Sequence, residues 1–406
     1  NLYPTPLTVL KKLSPIFSLS FLLVWTFQAL PAQNILTPGE PFEVDMSREK
    51  LQKAVNVVSE MVKRQKIQGV VLLVARNSRI VLHKALGWRN KEKLLPMKTS
   101  TLLRIASNTK PILAAAVQIL SEDGYLLLDN EIGRYLPSFK NYRYRGMTIR
   151  HLLNHTSGLR IPGLFLEPLM KKSPKYPDAP SLQLEVSRFS KLSPETQPGE
   201  KYSYSNAGYN ILGALVEVCS GQALEQFLRE KIYQPLGMKQ TFHHPNSEMI
   251  GRMSVVYEPD DKGWKIRFHQ KSPSIFPFTR GSGGVICSAL DYAKFCQMFL
   301  NRGNYNGNRI LSKKSVTEAT SQQVRINRSF NLIEEYNAQE AYRGFTWNVS
   351  NQGIYSCGGG HGTFAWVDPN RQLIGLIFTQ SGYQAISGRK GLSIQFMQLV
   401  NSAIKK

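Results

Sequence analysis

The stretch from Arg104 to Asp129, RIASNTKPILAAAVQILSEDGYLLLD, decides how the chain is read. Its apolar residues predict a helix that opens near Ser107 and stops by Gly124. Ser107 and Lys110 lie three apart and share a face, so the amine can serve the hydroxyl as a base. The free N–H groups and positive dipole end of a helix start favour an alkoxide and an oxyanion. Apolar surroundings would depress the pKa of Lys110 and leave it able to accept a proton. Pro111 is tolerated because the first turn has no intrahelical donor to lose. The Ser-x-x-Lys spacing recurs at Ser47–Lys50, Ser387–Lys390 and Ser402–Lys405. Those pairs fall in polar or terminal helices and read as solvated surface.

Upstream, Gly69–Asn90 (GVVLLVARNSRIVLHKALGWRN) shows two β-rich runs around a short polar turn, a hairpin. Helical periodicity spans 47–66, after the Pro/Gly linker LTPGEPFE. Downstream, helical patterns dominate from about 130 to 300, interrupted by a proline-rich loop over 162–199. The last hundred residues return to β patterns and finish in a helix from about 389 to 405. Strands at both ends with helices between them imply one sheet assembled from the termini, with an inserted helical domain. The expected division is 1–32 signal peptide, 33–46 linker, 47–111 with 275–406 as the sheet domain, and 112–274 as the mainly helical domain.

The 406 residues hold 51 Lys and Arg against 28 Asp and Glu, a net charge of +23. The basic residues are spread along the chain with no nucleic-acid motif, so a nucleic-acid partner is not expected. Residues 1–32 contain no acid and carry Lys11 and Lys12 before a short apolar run, which reads as a secretory signal. The expectation is therefore export to periplasm or medium, with no stable membrane insertion once the signal is removed. Because the chain opens on asparagine, further residues are expected to precede it. Cys219 and Cys296 sit in apolar helical patterns and read as buried free thiols.

A second group of polar residues, Tyr204-Ser205-Asn206, lies in EKYSYSNAGYNILGALVEV (Glu200–Val218). A tyrosine beside a lysine can relay protons, and an asparagine can orient the lysine or bind a carbonyl. By themselves these residues also read as a turn into an apolar helix. His151 and His155 stand four apart and could mimic a zinc pair, but no third ligand is evident and no metal is expected. RGSGGVICSALDYAKFCQMFL, from Arg280, is a glycine-rich bend before a helix.

The segments Arg104–Pro137, Met147–Arg160, Gln197–Gly221 and Tyr233–Thr241 resemble, in order, the serine β-lactamase-related family of class C β-lactamases, D-alanyl-D-alanine carboxypeptidases and esterases. The resemblance covers about residues 50–400. It implies an α+β, β-lactamase/transpeptidase-like fold, with an antiparallel sheet flanked by helices. It also implies an acyl-enzyme on Ser107, Lys110 and Tyr204 as the proton-handling pair with the base unassigned, and Asn206 as a positioning group. The His151–His155 segment corresponds to a structural corner under the family's site, and the Arg280 bend to a border of the pocket.

The family's third motif, Lys-Thr-Gly or its His-Gly-Gly and Trp-Gly-Gly relatives, falls in YSCGGGHGTFAWVDP, Tyr355–Pro369. A gapless register puts it on Cys357-Gly358-Gly359. Gly359 then becomes the floor for substrate, and Gly360 joins the Ser107 N–H as oxyanion donor. A gapped register puts it on His361-Gly362-Thr363. In the gapless register a neutral thiol stands where β-lactamases hold the substrate carboxylate with a lysine. Unless Arg104, Arg280 or Arg343 reaches in, this tilts the substrate toward neutral esters. The resulting expectation is a secreted serine hydrolase of small esters, without metal or cofactor. The alternatives are a β-lactamase or D-alanyl-D-alanine carboxypeptidase, or a penicillin-binding sensor without turnover.

Overall fold

Apolar residues run unbroken through Val70–Ala75, so both faces of this strand need cover. In the computed structural model, which describes residues 35–160, 171–261, 263–270, 277–326, 341–382, 385–386 and 391–405, alternate side chains of the strand enter two cores. The sheet begins with the short strand β1 (Thr37–Pro38), followed by β2 (Gly69–Arg76) and β3 (Arg79–Asn90). Val70, Leu72 and Val74 of β2 pack with Leu51, Val55 and Val58 of helix α1 (Arg48–Lys63) and with Phe396 and Val400 of the C-terminal helix Leu392–Ser402. Val71, Leu73 and Ala75 join a larger core with helix α2 (Thr109–Glu122) and helix Asn206–Ser220. The period of two along a strand produces this division.

Among the described residues the main sheet has ten strands, nine in one path and a tenth, Leu95–Pro96, paired with β3 off it. Strand β1 lies parallel to β3, which pairs with β2 through a two-residue turn at Asn77 and Ser78. Both turn residues have positive φ, 48° and 63°, the geometry whose twist matches a hairpin. Beyond β2 follow Leu373–Thr379, Thr363–Asp368, Tyr355–Gly359, Asn348–Ser350, Ala341–Arg343 and Val324–Ile326, each antiparallel to its neighbour. The sheet thus joins strands from both ends of the chain, as expected from the two β-rich regions.

Among the departures from the reading of 130–300 are a hairpin in the helical region and a helix in the proline-rich loop. Val256–Asp260 and Gly263–Phe268 form a β-hairpin. The latter alternates Trp264, Ile266 and Phe268 with Lys265 and Arg267, a period-2 pattern hidden by its modest hydrophobicity. Within the proline-rich loop, Leu182–Phe189 forms a helix capped by Ser181, whose hydroxyl accepts from the Leu184 N–H. The expected signal peptide lies outside the described residues, as does Ser387–Lys390. Among the described residues no helix is long and apolar enough to cross a membrane.

Candidate active site

Ser107 sits in a tight turn, Ala106–Asn108, between the short strand Leu103–Arg104 and α2. Ala106 has φ of +48°, a conformation a non-glycine residue adopts only when its surroundings hold it. Asn108, fully buried, supplies much of that hold. Its Nδ2 donates to the Thr363 hydroxyl (2.9 Å) and carbonyl (3.2 Å), and the Tyr292 hydroxyl reaches the Asn108 carbonyl (3.2 Å). The turn is thereby tied to the sheet and to helix Ala289–Leu300.

Two sequence-predicted residues converge on the Ser107 hydroxyl, and a third, Asn206, holds one of them. Tyr204 Oη lies 2.8 Å from Ser107 Oγ and Lys110 Nζ lies 3.2 Å from it. Lys110 also donates to Asn206 Oδ1 (2.8 Å) and to the Ser282 carbonyl (2.7 Å). The amine is fully buried in α2 and stands 4.8 Å from the Tyr204 ring centre. Burial, helped by the positive charges of Arg280 and Arg343, brings Lys110 down to about 7. Desolvation has the opposite effect on the phenol and pushes Tyr204 up to about 12. At neutral pH the lysine can therefore exist as a free amine while the tyrosine keeps its proton.

A neutral amine has two hydrogens and one lone pair. The two carbonyl acceptors, Asn206 Oδ1 and Ser282 O, use the hydrogens, which leaves the lone pair for the serine hydroxyl. Asn206 is placed by the start of its helix, where Ser205 is the N-cap and its hydroxyl accepts from the Gly208 N–H at 3.0 Å. His155 supports the group from below. Its Nδ1 accepts from the Ser205 N–H (3.2 Å), and its ring lies 4.7 Å from Tyr204 and 4.9 Å from Tyr209. Burial holds His155 well below the usual histidine range, so it packs as a neutral ring.

The paired histidines do not share a helix face. The helix over this segment is only Ile149–Leu153, and His155 lies beyond it at φ +62°. His151 Nδ1 instead accepts from the Thr148 N–H in a capping box. His155 thus serves as the structural corner under the site that the resemblance implies, a role its own local pattern does not signal.

In the third motif, strand Tyr355–Gly359 carries Cys357, Gly358 and Gly359, whereas Gly360, His361 and Gly362 turn the chain into Thr363–Asp368. Gly362 has φ of +80° and its N–H bonds to the Gly359 carbonyl at 2.9 Å. Cys357 is buried with Sγ 3.7 Å from the Ser107 carbonyl, and burial pushes its thiol up to about 11, so it is neutral near pH 7. All four cysteines are free thiols.

At Gly359 the protein's own packing requires a glycine, whatever contact substrate makes there. A Cβ there would meet the Ile105 carbonyl and the Thr363 hydroxyl, each at 2.3 Å, so the close neighbour is the chain ahead of Ser107. At Gly360 a Cβ would meet nothing within 4 Å. Gly359→Ala is therefore expected to cost about 2 kcal/mol or more in urea unfolding, with Gly360→Ala close to wild type.

Beside Ser107 lies a cavity of about 340 Å³, lined also by Asn206, Ser282, His243, Phe268 and His361. Arg104, Arg267 and Arg280 complete its walls, with no carboxylate among the described lining residues. The tilt toward neutral esters is conditional on no arginine reaching the pocket, and that condition is not met. Arg104 and Arg280 do reach in, while Arg343 is committed to the Tyr202 hydroxyl (2.6 Å) and the Thr346 carbonyl (2.7 Å). Arg280 is buried against Glu185 at 3.5 Å. Arg267 and His243 were not singled out from sequence, since Arg267 belongs to the hairpin read as helical.

The sequence matches the Beta-lactamase family model over residues 54–391, and the chain belongs to this family of serine hydrolases. The N-acetylmuramyl-L-alanine amidase of Bacillus subtilis (strain 168) is 26% identical over 399 residues, covering 86% of this chain and 89% of the relative. Penicillin-binding protein 4* of the same organism is 33% identical over 196 residues, covering 48% of this chain and 41% of the relative. Among solved structures, EstCE1, a hydrolase with promiscuous acyltransferase activity, superposes with a TM-score of 0.72 at 22% identity, covering 87% of this chain and 98% of EstCE1. The fold is thus the β-lactamase/transpeptidase-like one expected.

Proposed function

We propose that the chain is an exported serine hydrolase that cleaves small esters, and less readily amides, through an acyl-enzyme on Ser107. The observation that carries this reading is the convergence of Lys110 and Tyr204 on one serine hydroxyl, at 3.2 and 2.8 Å. Neutral Lys110 accepts the Ser107 proton as Oγ bonds to the substrate carbonyl carbon. The N–H groups of Ser107 and Gly360 receive the oxyanion. As the tetrahedral species collapses, the bond to the leaving group breaks. Tyr204 protonates that group and is reprotonated from Lys110. Water then enters by the same route: its proton passes to the Lys110–Tyr204 pair, its oxygen bonds to the acyl carbon, and the bond to Ser107 breaks as the pair returns that proton to Oγ.

Preference for esters rests on the neutral Cys357 thiol, which supplies no charge for a leaving-group carboxylate. A chromogenic short-chain ester and a chromogenic cephalosporin given to the purified protein test it. Ester turnover is expected to be faster, and cephalosporin turnover faster by orders of magnitude would sink the preference.

A pH profile gives a second check. Because Lys110 must be unprotonated and its pKa is about 7, kcat/KM is expected to rise through an apparent pKa near 7 and to fall tenfold per unit below it. An acid limb centred on the carboxylate range, near 4, would exclude Lys110 as base.

A further inference from the structure

The cavity beside Ser107 is built to take charge. Arg104 and Arg267 approach one aromatic ring, Phe268, with guanidinium carbons 5.8 and 5.2 Å from its centre. His361 stands edge-on to the same ring at 5.6 Å. The three side chains come from separate elements: the strand entering the Ser107 turn, the hairpin strand Gly263–Phe268, and the turn after Gly359. Main-chain bonds to Gln380 fix Arg104 in register, since Gln380 Oε1 accepts from the Arg104 N–H (3.1 Å) and Nε2 donates to its carbonyl (3.1 Å).

Among the described lining residues of this cavity there is no carboxylate. Arg267 pairs with Glu258 at 3.6 Å across a solvent-exposed surface, a weak and salt-screened interaction. Glu185 is spent on Arg280. His243, 2% exposed, adds a polar group whose two ring nitrogens have no hydrogen-bond partner among the described residues. Burial holds it at about 4, so at neutral pH its ring offers one donor and one acceptor.

The direction of binding follows from the proton-handling pair, and so rests on the function proposed above. Tyr204, the proposed donor to the leaving group, is not among the cavity's lining residues, whereas Ser107 and Asn206 are. The leaving group departs on the Tyr204 side, which leaves the cavity for the acyl portion. We propose that the acyl group transferred to Ser107 ends in an anion, a carboxylate or similar group, held between Arg104 and Arg267. Its preferred substrates are then esters of short dicarboxylic or otherwise anionic acids.

Matched 4-nitrophenyl esters test this. At low salt kcat/KM for the anionic 4-nitrophenyl hemiglutarate is expected to exceed that for neutral 4-nitrophenyl butyrate by about tenfold or more, with the ratio falling as NaCl is added. In the double variant Arg104→Gln, Arg267→Gln the ratio should fall to about one. Equal rates on the two esters in the wild type, or a salt-independent ratio, would overturn the proposal even if the variant failed to fold. A carboxylate moved to the leaving group, as in 3-carboxyphenyl butyrate against phenyl butyrate, should bring no gain, and a gain there would overturn the acyl-side assignment. Failure of the wild type to turn over any of these esters would refute the underlying hydrolase reading, whereas turnover without charge preference would refute the anion site alone.

Discussion

Ser107→Ala is expected to lower ester turnover roughly 10⁴-fold or more while leaving the thermal unfolding midpoint near that of the wild type. The hydroxyl makes the only bond between protein and substrate carbon in the proposed cycle, so no other side chain can substitute for it. Its removal costs little structure. Lys110 keeps its bonds to Asn206 and Ser282, and the turn keeps the Asn108 contacts to Thr363. An alanine variant that hydrolyses the ester at the wild-type rate would show that another nucleophile, or water directly, does the work.

Lys110→Arg separates charge from proton transfer. Arginine stays protonated throughout the accessible pH range, so it can donate to Asn206 Oδ1 and the Ser282 carbonyl but cannot accept the serine proton. Loss of the general base is expected to lower kcat about 10²- to 10⁴-fold and to abolish the acid limb near neutrality. Burial adds a second cost, because the larger guanidinium must fit where every residue of α2 from Thr109 to Leu120 is enclosed. Melting temperature read beside kcat keeps the two apart. A well-folded variant with wild-type kcat would mean that Lys110 acts as a fixed positive charge and that Tyr204 is the base.

Parts of this arrangement could be read from the chain before any coordinates. Val70–Ala75 signals a strand covered on both sides, and the strongly apolar helix after Ser107 distinguishes one Ser-x-x-Lys pair from three others. Tyr204 and Asn206 were recognisable only through resemblance, since their own pattern equally describes a helix start. What stayed hidden depends on contacts between distant segments. That Gly359 is required by the close approach of Ile105 shows only in the fold. Arg267 joins the pocket through a hairpin whose weak amphipathic alternation was lost in a helical neighbourhood. The charge of the cavity thus depends on side chains more than 150 residues apart, from Arg104 to Arg267, and no local motif encodes that pairing.

The most direct measurement is peptide-mapping mass spectrometry of the protein quenched during turnover of a slowly deacylating 4-nitrophenyl ester. One acyl group is expected on the peptide containing Ser107, absent from Ser107→Ala and lost at the rate of product release. Steady turnover with Ser107 unmodified at every quench time, or the acyl group on another residue, would contradict the acyl-enzyme mechanism.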